Sequence, residues 1–133
     1  MGFQPKRFDS GKIVELAVTA SKTIVKWDAL EFSSWFAQRA DASTAYIQYV
    51  AVEWIVTWSG ESGTVRAIPT VGVQFQGDTA WATSQGIVGT FLDLTDHDTI
   101  NQAASTTNVF RVSDLVWATS DNKVLGYFNA LAS

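Results

Sequence analysis

The feature that most constrains this chain is its rhythm: short runs of β-branched and aromatic residues, broken every few positions by glycine, asparagine, aspartate or serine. Such runs suit a pleated, half-buried surface, and the breaks supply the backbone angles that tight turns need. Tyr46 to Trp58 is the strongest strand signal. One face carries Val50, Val52, Trp54, Val56 and Trp58, and the other Ile47, Tyr49, Ala51 and Ile55. Apolar residues on both faces predict a strand covered on both sides. Ser59-Gly60-Glu61-Ser62-Gly63 then reads as a hairpin loop before Thr64 to Gln76, where Pro69 marks an edge, a bulge or a break.

Further strands are predicted over Lys12 to Thr19, within Thr23 to Ser33 with a hinge near Asp28, and over Thr79 to Thr83. Ile87 to Leu94, Asn108 to Thr119 and Lys123 to Leu131 complete the set. About eight strands at regular spacing predict an all-β fold, a small single-domain sandwich or barrel, preceded by an arm over residues 1–10. Two segments read as short helices. Ser34 to Ala45 is alanine-rich, and Thr95 to Ala104 opens with a capping-box-like Thr95 and Asp98.

Chemistry is harder to find. The sole histidine, His97, lies in Asp93-Leu94-Thr95-Asp96-His97-Asp98. Adjacent residues of a helix point apart, so Asp96, His97 and Asp98 cannot all face one ion, and the spacing misses the calcium-loop pattern. Helix capping is the simpler reading. No nucleophile elbow is present, and Gly86-Ile87-Val88-Gly89 lacks the lysine of a phosphate loop. The sequence therefore predicts no catalytic residue, no metal ligand set and no cofactor. With no cysteine, neither disulfides nor thiolate chemistry arise.

Charge narrows the partners. Residues 1–45 carry six basic and five acidic side chains, or +1; residues 46–133 carry three and eight, or −5. A phosphate backbone is bound by clustered cations, and no cluster exceeds Lys6-Arg7, so nucleic acid is not an expected partner. Nor is a membrane: Tyr46 to Trp58 is too short to span and holds Gln48 and Glu53. Met1 to Ser10 lacks the apolar core of a secretory signal, which predicts a soluble protein made in the cytoplasm.

Charged residues make up only 17% of the chain while aromatics reach 13%, with six tryptophans. A domain of 133 residues has limited interior, so part of this apolar area is expected outside, where a partner covers it. Trp27, Trp54, Trp81 and Trp117 lie in strand runs and are expected in the core. Trp35 and Phe36, in a predicted loop, are candidate contact residues. So are Phe3, Pro5, Lys6, Arg7 and Phe8 of the arm, an apolar and basic segment suited to an acidic neighbouring subunit.

Three stretches carry a family resemblance. They are Gly11 to Leu16 with Ser21 to Leu30; Gly89 to Asp96 continuing through Thr99 to Gln102 and Phe110 to Val112; and Lys123 to Phe128. In these the chain resembles the head decoration, or cement, proteins of tailed bacteriophages. The pattern departs at Trp27, where the usual residue before the aspartate is glycine. The resemblance implies a homotrimer on the outer surface of the capsid, bridging major capsid protein subunits in the virion. Alternatives are another virion part, such as a head–tail connector or tail-tube subunit, or a carbohydrate-binding module. The module would need solvent-facing tryptophans in a row.

Overall fold

The period-2 alternation is clearest in two strands that lie side by side. In Gln74–Thr79 the buried residues Phe75, Gly77 and Thr79 alternate with half-exposed Gln74, Gln76 and Asp78. Lys123–Phe128 buries Val124, Gly126 and Phe128 in the same way. Their register sets Gly126 against Phe75 and Val124 against Gly77, so Phe75 and Val124 each face a glycine. This large-to-small matching lets a narrow barrel close.

The computed structural model describes residues 2–7, 13–33, 35–44, 46–81, 83, 85–116 and 122–129. Among them the chain forms thirteen strands, one 3-10 turn at Gln85–Ile87 and no α-helix. The strands are β1 (Gln4–Arg7), β2 (Val14–Val18), β3 (Thr23–Ile24), β4 (Ala29–Ser33) and β5 (Phe36–Arg39). Next come β6 (Tyr49–Ala51), β7 (Ile55–Val56), β8 (Gly63–Pro69) and β9 (Gln74–Thr79). The last are β10 (Phe91–Leu94), β11 (Thr99–Asn101), β12 (Phe110–Leu115) and β13 (Lys123–Phe128).

Five strands close into a ring: β9 pairs with β11, then β10, β12 and β13 follow, and β13 returns to β9. The second edge of β9 is shared. Its first half pairs with β1 and its end pairs in parallel with β11. Closure leaves few unpaired backbone groups at sheet edges. Inside, Phe3, Phe75, Phe110 and Phe128 interlock, with ring centroids 4.8 Å apart for Phe3 and Phe128 and 5.0 Å for Phe110 and Phe128. A Cβ on Gly77 would come within 2.6 Å of the Phe3 ring. One on Gly126 would strike the Phe110 ring and the Arg111 carbonyl.

A second antiparallel sheet, ordered β2-β8-β6-β4-β5, packs on the barrel and is apolar on both sides. Val50 and Ile68 join the barrel core. Leu16, Val18, Ile24, Leu30, Ala51 and Val65 form a core of their own beyond it. β3 and β7 make a separate two-stranded ladder.

Several expectations need correction. Among the described residues of Thr79 to Thr83, only Thr79 lies in a strand, at the end of β9. Tyr46 to Trp58 is not one strand: β6 joins the five-stranded sheet and β7 joins β3, with a bend between them. At the bend Glu53 turns out to an ion pair with Arg66 at 2.6 Å, and the ladder partner changes. Of the predicted Ser34 to Ala45 helix, the described residues 35–44 are not helical but give β5, which returns along β4 as a hairpin. Thr95 to Ala104 is likewise no helix; β10 and β11 form a hairpin there, with Thr95 N–H donating to Thr99 O at 2.8 Å. Neither segment carries an apolar stripe of helical period, so propensity yields to strand pairing.

Candidate functional site

The surface is set by aromatic residues that the two cores do not take up. Trp35, Trp54, Trp58, Trp81 and Phe91 are all exposed, and Trp35 most of all at 83%. Trp54 and Trp81 thus depart from the expectation of core packing, and Trp27 is only partly buried. Trp117 lies outside the described residues.

Trp35 occupies the tip of the β4–β5 hairpin with φ of 74°. A bulky residue in the left-handed region is a backbone outlier costing about 1–3 kcal/mol, and such strain gathers at functional positions. Four residues in register on each side, from Leu30↔Arg39 to Ser33↔Phe36, brace this tip. Phe36 beside it is half-buried.

The N-terminal candidates are separated by the fold. Phe3 is fully buried in the barrel core, so it packs inside rather than on the surface expected of it. Pro5 is half-buried in β1 and Lys6 is exposed. Arg7 ends β1, and Phe8 lies outside the described residues. Lys6 and the Trp35 hairpin are therefore the outward-facing members of the predicted set whose side chains are described.

A second cluster forms around Asp28. Trp27 also has a left-handed backbone, φ 73°, fixed by its N–H to Ala51 O and by Phe3 N–H to its own carbonyl, both 2.8 Å. Lys26 Nζ stands 4.9 Å from the ring centroid of Trp27. This turn delivers the Asp28 carboxylate, almost wholly buried, to three partners. Oδ2 accepts from Val25 N–H at 2.8 Å and from Arg39 Nε at 2.7 Å, and Oδ1 bonds His97 Nδ1 at 2.9 Å.

Asp28, His97 and Asp98 bring possible metal-ligand atoms within 4.8 Å of one another. The Arg39 guanidinium on the same carboxylate opposes a cation there, and the bonds already made account for the geometry as a clamp between sheet and barrel. Burial, then a bond to Asp96, pushes Asp98 above the ordinary aspartate value. Asp96 goes the other way: burial opposes ionisation, but bonds from Asp98 and the His97 charge outweigh it. Sequence reasoning grouped His97 with its neighbours and missed Asp28, because nothing local reports a partner so far along the chain.

The carboxylates of this region do cap backbone N–H groups, though not those of a helix. Asp96 Oδ1 accepts from Asp98 N–H at 3.0 Å inside the hairpin turn. Buried Asp93 accepts from Thr106, Thr107 and Asn108 N–H at 3.0, 2.8 and 2.9 Å, and from the Thr107 hydroxyl.

No protein-family model matches the sequence, and no curated protein matches it either. Among solved structures, the fold is similar to the head fiber gp8.5 N base of bacteriophage phi29. The TM-score is 0.55 at 16% identity, covering 92% of this chain and 100% of that one. At this identity the likeness establishes a shared all-β fold.

Proposed function

We propose that this chain is a structural part of a tailed-phage head, a decoration protein that binds the outer capsid surface and bridges major capsid subunits. The observation that carries the reading is the fold likeness to a head fiber base, which runs the whole length of that domain and nearly all of this one. Exposed Trp35 supports it, since a large apolar group left outside two well-filled cores is a group for a partner to cover.

Trp35 is the anchor in this reading. It stands on a braced hairpin, so little side-chain and loop freedom is lost on docking. Lys6 lies at the rim. The chain assembles as a homotrimer, which multiplies weak contacts around a closed shell into avid binding. Binding the assembled shell but not its separated subunits stabilises the shell by linkage. The role is binding alone; the protein is made in the host cytoplasm and works in the virion.

The test is to mix purified protein with heads that lack it and to sediment them. The reading expects saturable co-sedimentation at a fixed number of copies per capsomer and a higher temperature of DNA release. A protein that stays in the supernatant at every concentration would overturn it.

A further inference from the structure

One hollow has chemistry that head binding does not use. It opens where the β3–β4 turn, the start of β7 and the β10–β11 hairpin meet, has a volume of about 380 Å³, and is lined by Trp27, Trp54, Lys26, Arg39, His97 and Asp98, with Asp28 beneath. That volume falls within the roughly 300–1,000 Å³ usual for small-ligand sites.

The hollow continues into a ridge. Along 54–58 the exposed positions are Trp54, Val56 and Trp58, while Thr57 between the last two is buried. Alternation places these three on one face of an extended segment, with Trp54 and Trp58 ~13 Å apart along it. The buried threonine fixes the face. Its N–H donates to Lys22 O at 2.8 Å and its hydroxyl donates to Thr19 O at 2.6 Å, while Ser21 N–H holds Trp58 O at 3.2 Å.

We infer that the hollow and ridge form a binding site for a neutral, linear saccharide. A pyranose ring has an apolar C–H face and a rim of hydroxyls. Indole faces suit the first, through their negative π surface. The rim needs side chains that donate and accept in one small space, which Arg39, Lys26, His97 and Asp98 provide. The lining mixes groups of both signs: Lys26, Arg39 and His97 stand with Asp28 and Asp98, and Asp28 already pairs with Arg39 and His97. That mixture favours neither a phosphate nor a cationic ligand, and so selects an uncharged polyol. The left-handed backbone at Trp27 adds a second mark, because it holds an indole at the wall of the hollow against its conformational preference. Trp54 and Trp58, separated along the ridge, suit a chain of sugars rather than a single ring.

The site uses none of the residues assigned to head docking, so the two readings fail separately. The experiment is a tryptophan-fluorescence titration of the full chain with cellohexaose, chitohexaose and mannohexaose, each to about 5 mM. A saturable change with at least one of them is expected, with Kd on the order of 0.1–1 mM. Trp54→Ala, at an exposed side chain, is expected to weaken binding at least ~10-fold, while Trp81→Ala, exposed but outside the lining of the hollow, leaves it within about twofold. No saturable change with any of the three sugars overturns the proposal. So does binding that Trp54→Ala retains, or that Trp81→Ala loses equally.

Discussion

His97 Nδ1 lies 2.9 Å from Asp28 Oδ1 although the two residues are 69 positions apart. Ala29 N–H also donates to His97 O at 2.9 Å, so the barrel hairpin that carries His97 is held to the sheet by both backbone and side chain. Arg39 of β5 reaches the same carboxylate. One buried aspartate thus joins three separate elements.

Removing it leaves the Val25 N–H and the Arg39 guanidinium without their acceptor. Asp28→Ala is expected to destabilise the fold by about 2–4 kcal/mol and His97→Ala by about 1 kcal/mol. Urea denaturation followed by tryptophan fluorescence reads both. Equal, negligible effects would remove Asp28 from its place at the joint.

The glycines of the barrel make a sharper demand. Gly126→Ala sets a methyl group against the Arg111 carbonyl and the Phe110 ring, and the carbonyl belongs to a paired strand that cannot easily retreat. A loss of at least ~3 kcal/mol is expected, measured as a fall in melting temperature or as failure to recover soluble protein.

Asp93 gives the fold an acid sensitivity of definite sign. Burial alone would raise its pKa, but hydrogen bonds from Asn108, Thr107 and Thr106 outweigh burial and hold it below the ordinary aspartate value. The folded value is therefore lower than the unfolded one. Its contribution is complete above about pH 4–5 and is lost as pH falls through the unfolded and then the folded value. Asp93→Asn is expected to be less stable at pH 7 by about 1–3 kcal/mol and to show a shallower loss between about pH 5 and pH 2. Denaturation midpoints across that range check it.

Trp35 should matter to binding and not to folding. Trp35→Ala is expected to change stability by no more than ~0.5 kcal/mol, because the side chain is so exposed, while weakening attachment to heads at least ~10-fold. Sedimentation with heads and a thermal melt of the same preparation separate the two effects.

Much of the strand pattern is written locally. Ser59 to Gly63 marks a turn, and the alternation after it places Val65 and Ala67 inward, as β8 has them. The region Asp93 to Asp98 misleads because a carboxylate accepting backbone N–H groups looks the same at a helix start and in a hairpin turn. Trp54 and Trp58 share a face, as alternation requires. Whether that face lies inside depends on the chain leaving β6 for β3, a pairing decided far away in sequence. Barrel closure has the same character: it rests on β9 meeting β13 and β11 at once. The Asp28–His97 bond has no local sign at all.

The most direct test is a density map of the virion at a resolution that resolves strands. The account predicts this barrel and sheet repeated on the outside of the head, as trimers over the boundaries between capsomers, with the Trp35 hairpin buried against the shell. Density for the chain within the tail tube or the connector, or its absence from the head, would contradict it.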